Sequence, residues 1–220
     1  MAHAEAIAPG RSEAAASLPE RGGRIGPNAI TRLAEALDVL HGSLLCHEVF
    51  VAAGLLRHLH TPPRHMVDEQ DVVRLHRAMI ALLGPVDAAA TARAAGERTG
   101  AYLLGHRIPR AAQHLLRMLP RGLAARLLAA AIARHAWTFA GSGRFAARHS
   151  RPLQLSLVAA PLCTDAAPSG SAYLAATFET VFTGILGQGI VVQEGTTAVD
   201  GRAAHGFTVR FDGRGPKGPR

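Results

Sequence analysis

Three patterns in the sequence predict an α/β fold of the α+β type, with a helical N-terminal half followed by an antiparallel sheet that carries one packed helix. From Ile30 to Ala133 the apolar residues recur at three-and-four spacing, in segments closed by glycine or proline. Beyond Leu153 they alternate with polar residues, the period of half-buried strands. One further helical pattern, Tyr173, Ala176, Phe178, Val181, Phe182 and Ile185, interrupts the strands and ends at Gly187-Gln188-Gly189.

In chain order, Ile30, Leu33, Ala34, Leu37 and Leu40 form the inner stripe of a first helix, which Gly42 closes. A second starts at Ser43, turns Leu45, Val49, Ala52, Leu56 and Leu59 inward, and stops before Pro62-Pro63. Asp68 is placed to cap a third, with Val72, Leu75, Met79 and Leu82 on its inner face before Gly84. Pro85 opens an alanine-rich fourth that runs through Leu104, and Pro109 opens a fifth. After Pro120 comes a strongly apolar helix from Leu123 to Ala133, and the residues then turn β-like at Trp137, Thr138 and Phe139. Gly141-Ser142-Gly143 leads into a strand, and Leu153, Leu155 and Leu157 mark the next. Cys163 to Gly170 reads as a loop, and strands at Ile190 to Glu194 and Phe207 to Phe211 are joined by a turn at Asp200-Gly201. Residues 1–23 and 212–220 lack an apolar period and read as a disordered segment and a flexible tail, which leaves one domain at 24–211.

Composition removes several functions. Cys46 and Cys163 are the only cysteines, so neither a disulfide framework nor a four-thiolate metal site is available, and both read as buried small hydrophobes. The start has no basic-then-apolar leader, and the apolar run Gly122 to Phe139 would bury Arg126, Arg134 and His135 in lipid. The expectation is a cytoplasmic protein with no membrane span. Lys217 is the only lysine, so arginine carries the net charge of +8, and no acid occurs between Arg98 and Thr164. Such a field attracts an anionic partner. Within it Arg107, Arg110, His114, Arg117 and Arg121 recur at three-and-four spacing, as a solvated helix face or as a docking surface for anions. Nucleic acid is not the expected partner, because no helix-turn-helix or aromatic-interleaved basic ribbon accompanies the charge.

The segments GRIGPNAITRLAEAL, GERTGAYLLGHRIPR, RHAWTFAGSGRF and TFETVFTGILGQGIVVQEG, in this order, resemble the bacteriochlorophyll 4-vinyl reductase family over roughly residues 24 to 211. The resemblance implies a role in bacteriochlorophyll synthesis, a fold like that of vesicle-tethering TRAPP subunits, and a place in the cytoplasm or against the photosynthetic membrane. It also implies either a reductase that converts a divinyl to a monovinyl tetrapyrrole or a protein that binds such an intermediate. Many members carry two cysteines suspected of holding metal. The matching positions are Thr197, after Glu194, and His205, before Phe207, and a hydroxyl with an imidazole is no thiolate pair.

Vinyl reduction needs a hydride donor, and no G-x-G-x-x-G motif follows a strand here, so NADPH enters only if the reductase reading holds. The sequence favours a protein with no cofactor of its own that binds a magnesium porphyrin or chlorophyllide and presents it to other enzymes of the pathway. Such a ligand wants an apolar slot, a cation for its propionate and an axial donor to magnesium. The candidates are His135, Trp137 and Phe139 at the end of the apolar helix, His106 and Arg107 after GAYLL, Cys163 in its loop, and Phe178 and Phe182. Taken singly, His135 also fits a hydrogen-bonded structural role, Trp137 fits plain core, and Cys163 fits a buried thiol. The histidines at 58, 60 and 65 read as a polar loop, since proline holds their segment extended.

Overall fold

The computed structural model describes residues 22–165, 167 and 169–211, so most of the expected N-terminal disorder and the whole tail lie outside the described residues. In order come β1 (Arg24–Ile25), α1 (Asn28–Ala52), α2 (Leu56–His60), β2 (Val67–Asp68), α3 (Glu69–His106), α4 (Arg110–Met118) and α5 (Arg121–Arg134). They are followed by β3 (Arg144–Arg148), β4 (Leu153–Val158), α6 (Gly170–Leu186), β5 (Ile190–Val199) and β6 (Arg202–Phe211). The α+β architecture is as the patterns require: helices first, then an antiparallel sheet in the order β3-β4-β6-β5 with α6 packed on it.

Asp68 caps α3 by accepting a hydrogen bond from the Gln70 N–H at 2.8 Å. The glycines at 42 and 84 do break the helices, at φ 84° and 79°, but each helix resumes at once, so α1 and α3 are bent rods. Leu40 and Leu82, expected inside, are exposed beside these bends, and Ala52 is exposed just before the chain turns at Gly54. Gly54 also splits the expected second helix, leaving α2 as a separate short turn. The region around Trp137 is a 3-10 turn, Ala136–Thr138, instead of a strand, and Pro161–Cys163 forms another where a loop was expected.

The spine of the domain is the contact of α3 with α6. Two glycines of α3 allow it: a Cβ on Gly96 would lie 2.2 Å from the Tyr173 carbonyl oxygen, and one on Gly100 would lie 2.5 Å from Thr180 Cβ. At this approach the Thr177 hydroxyl donates to the Tyr173 carbonyl at 2.8 Å and reaches that of Gly96 at 3.2 Å, and the hydroxyls of Thr99 and Tyr173 meet at 2.9 Å. The GERTG segment is therefore a helix-packing device. By composition α3 is also long and apolar enough to cross a membrane; it packs against α1 and α6, with about a third of its most apolar window buried.

On the sheet, Leu155 is paired with Phe207 and Val192 with Val209, and the inner face they share is covered by α6. Asp200 and Gly201, at φ 50° and 74°, make the expected hairpin turn. Strand β6 starts at Arg202, well before Phe207, because its pairing with β5 runs unbroken to the turn.

A second junction explains two more of the recognisable segments. Glu69 is buried, and its carboxylate accepts from the Ser142 N–H at 2.6 Å and the Ser142 hydroxyl at 2.8 Å, while its own N–H donates to the Gly23 carbonyl at 3.0 Å. One residue, through its backbone N–H and its carboxylate, thus ties the N-terminal GRIGPN to the Gly141-Ser142-Gly143 turn.

His76 is fully buried in α3, with Nδ1 2.8 Å from the Ser169 hydroxyl, and burial pushes its pKa down to about 4. Between pH 6.5 and 4 the unfolded chain takes up a proton that the folded chain refuses, so stability falls as pH drops through this window, by about 3 kcal/mol in all. The urea midpoint should therefore fall between pH 7 and pH 5 by clearly more in the native protein than in His76→Gln. Parallel falls would locate the acid sensitivity elsewhere.

Candidate functional site: an arginine-lined groove

The residues proposed from sequence do not gather into one cavity. Phe139 and Phe178 meet at 5.6 Å between ring centroids, edge to face, but Phe145 and Phe207 join them at 5.5 and 5.3 Å, and the rings fill the space between sheet and α6. Phe182 is wholly inside the core. Trp137, for which plain core was one reading, is 62% exposed, because the 3-10 turn after α5 carries it outward.

His106 stacks on Tyr102 at 4.7 Å, with Arg32 4.9 Å from the same ring and Arg107 6.0 Å. His135 closes α5. The Nδ1 atoms of His106 and His135 contact the carbonyls of Tyr102 at 3.2 Å and Ala131 at 2.9 Å. A carbonyl only accepts, so Nδ1 is the donor in both contacts. The two histidines are exposed, at the ends of α3 and α5, whereas the phenylalanines pack in or against the core.

Cys163, Glu194 and His205 come together under the sheet. Burial pushes the Cys163 thiol up to about 12, helped by the negative Glu194. The His205 imidazole, and less so the Ser171 hydroxyl, hold the Glu194 carboxyl below its usual range. His205 Nε2 is 3.5 Å from Glu194, an ion-pair distance at which the ring nitrogen is poorly aimed for a hydrogen bond. Thr197 is not part of this group. It pairs with Ala204, whereas His205 pairs with Thr196, so Thr197 and His205 point to opposite faces of the sheet. No three His, Cys, Asp or Glu side chains among the described residues are close enough to hold a metal ion. His58 and His60, expected in a polar loop, stand on the short helix α2, and His58 is 3.3 Å from Asp71, which also pairs with Arg57 and Arg74.

The arginine stripe proves to span three elements. Pro109 and Pro120 hold the chain extended, with ψ of 137° and 134°, so Arg107 caps α3, Arg110 to Arg117 lie on α4, and Arg121 opens α5. Arg117 donates to the Gly184 carbonyl at 2.9 Å, and Arg121 to those of Leu186 at 3.1 Å and Gln188 at 3.5 Å. Two of the stripe's cations are thus engaged at the C-terminal end of α6, satisfying carbonyls that a helix end leaves open.

Arg121 also begins an open groove of about 1020 Å³, bounded by the N-terminal turns of α5, the Ser150-Arg151-Pro152 turn and the end of β6. Arg126, Arg151 and Arg210 add charge, and Leu123, Pro152, Leu153 and Phe211 add apolar surface. Its lining contains no acid. Sequence reasoning missed it because its parts lie on three separate segments; the signal available was the acid-free stretch from Arg98 to Thr164. Such a groove can hold a flat, largely apolar molecule by its faces and pair its carboxylates at the rim.

The same structure bears on the nicotinamide cofactor. The turn most like a phosphate loop gives its Ser142 N–H and hydroxyl to Glu69, and a Cβ on Gly143 would lie 2.5 Å from Ala160 Cα. A carboxylate of the protein already occupies the place of a phosphate, so this turn does not fit the cofactor.

No family model matches the chain. A solved structure described as "Modulating Heme Redox Potential Through Protein-Induced Porphyrin Distortion" aligns over 85% of this chain and 100% of its own, at a TM-score of 0.47 and 12% identity, too distant to support an argument. Two curated relatives are much nearer. The bacteriochlorophyll synthase 23 kDa chain of Cereibacter sphaeroides is 38% identical over 193 residues, 87% of this chain and 92% of the relative. Its counterpart from Rhodobacter capsulatus is 39% identical over 172 residues, 78% and 79% of the two chains. With that identity over most of its length, the chain belongs to the family of the bacteriochlorophyll synthase 23 kDa chain, the 4-vinyl-reductase-domain proteins associated with bacteriochlorophyll synthesis.

Proposed function

We propose that this protein binds a carboxylated magnesium tetrapyrrole of bacteriochlorophyll synthesis and presents it to enzymes of the pathway. The groove carries the reading: Arg126, Arg151 and Arg210 around apolar Leu123, Pro152 and Phe211 match a macrocycle with apolar faces and propionate at its edge. Family membership supports the pathway, and the element order supports a domain of the 4-vinyl-reductase type, with the fold of TRAPP subunits. The groove supplies charge and contact area for such a ligand. We assign the protein to the cytoplasm.

Mixing the purified chain with a divinyl magnesium tetrapyrrole, with and without NADPH, tests this reading. A saturable shift of the Soret band with no vinyl-to-ethyl product is the expected result. Turnover by the isolated chain would make it a reductase, and an unshifted band would end the tetrapyrrole reading.

A further inference from the structure

The outer faces of α4 and α5 carry apolar side chains that nothing in the protein covers. Met118 is 84% exposed, and Leu115, Leu123, Leu127 and Trp137 are exposed with it. Leu115 and Met118 are three residues apart on α4, and Leu123 and Leu127 are four apart on α5, so each pair shares a helix face. Both helices pack on α6, and each carries its exposed pair on a face turned to solvent. Arg107, Arg110, His114 and Arg134 stand exposed among these residues, and the nearest acids in sequence are Glu97 and Asp165. The other exposed apolar patch, at Val39, Leu40, Leu44, Leu82 and Val86, has Asp38 and Asp87 beside it and lacks this charge pattern.

We propose that α4 and α5 form a docking face for an anionic lipid bilayer. Leucine, methionine and tryptophan enter the headgroup boundary while the arginines pair with lipid phosphate, the two-part chemistry of an interfacial amphipathic helix. Nucleic acid would meet the arginines and leave the leucines and Met118 without a partner. The chain has no membrane-crossing role in this scheme; α4 and α5 lie on the surface and bring the neighbouring groove close to it. The face shares only Leu123 with the lining of the groove, and the inference is tested without any tetrapyrrole, on Leu115 and Met118, which lie outside that lining.

The test is co-sedimentation of the full chain with phosphatidylcholine vesicles and with vesicles in which roughly a third of the lipid is phosphatidylglycerol. Binding to the anionic vesicles should be at least about tenfold stronger and should weaken with salt. Trp137 is the only tryptophan, so its emission should shift to the blue on the vesicles and be quenched by brominated acyl chains. The double variant Leu115→Glu, Met118→Glu should lose the binding with its thermal melt unchanged, since both side chains are exposed. Equal binding to both vesicle types, no binding, unquenched Trp137, or full binding by the double variant would each overturn the proposal. Capture of an acidic protein by this face in place of vesicles would overturn it too.

Discussion

Gly96→Val should destabilise the domain by about 3 kcal/mol or more, enough to leave a marginal protein largely unfolded. Even a Cβ would stand 2.2 Å from the Tyr173 carbonyl oxygen and 2.9 Å from Ala176 Cβ. The first neighbour is the backbone of α6, so relief requires α3 and α6 to separate. Separation opens the Thr99 to Tyr173 contact and the hydrogen bond from Thr177 to Gly96, both buried. Gly105, on the same helix, has nothing within 4 Å of the added atom. Gly105→Ala should accordingly be neutral or stabilising by up to about 1 kcal/mol through helix propensity. Urea titrations of the two variants read this contrast, and equal effects would show that the α3–α6 seam is not the spine of the fold.

The pair Arg126→Glu, Arg210→Glu should weaken binding of a carboxylated tetrapyrrole by about a thousandfold, with little change in stability. Reversing a partly solvated charge replaces an attraction of about 1 kcal/mol by a similar repulsion, and two sites compound. Both arginines line the groove on elements that do not depend on them for capping. Arg121 makes a poor test, because it also holds the carbonyls of Leu186 and Gln188 at the end of α6 and its loss would disturb the scaffold. Isothermal or spectroscopic titration of the double variant, with its urea midpoint as control, separates the two roles. Loss of affinity in proportion to loss of stability would point to scaffold damage.

The architecture was largely legible in the sequence because it rests on local rules. Apolar spacing marked the helices, Asp68 its cap, the glycines at 42 and 84 the bends, and alternation the inner strands. Burial at the bends was less legible. Leu40 and Leu82 continue the inner stripe of their helices, but the bend ends the packing partner before the stripe ends. The two-residue strands β1 and β2 were missed, since their pairing depends on the long-range Glu69 junction. Similarly, Phe139, Phe178 and Phe182, which promised an apolar slot, lie in the core or pack against it, because sequence shows that rings are present and not whether they fill the space between them. The arginines were visible as a field, but the groove draws Arg126, Arg151 and Arg210 from separate segments, and Arg117 and Arg121 are engaged on α6. Resemblance located the family, and only the register of β5 on β6 could show Thr197 and His205 facing apart.

Binding of a carboxylated macrocycle at the arginine groove is tested most directly by comparing one magnesium tetrapyrrole as its free propionate and as its methyl ester, titrated into the native chain at low salt. Ion pairing at Arg126, Arg151 and Arg210 predicts at least tenfold tighter binding of the free acid, an advantage that disappears in Arg126→Glu, Arg210→Glu. Equal affinities for acid and ester, or an advantage that survives the double substitution, would contradict binding at this groove.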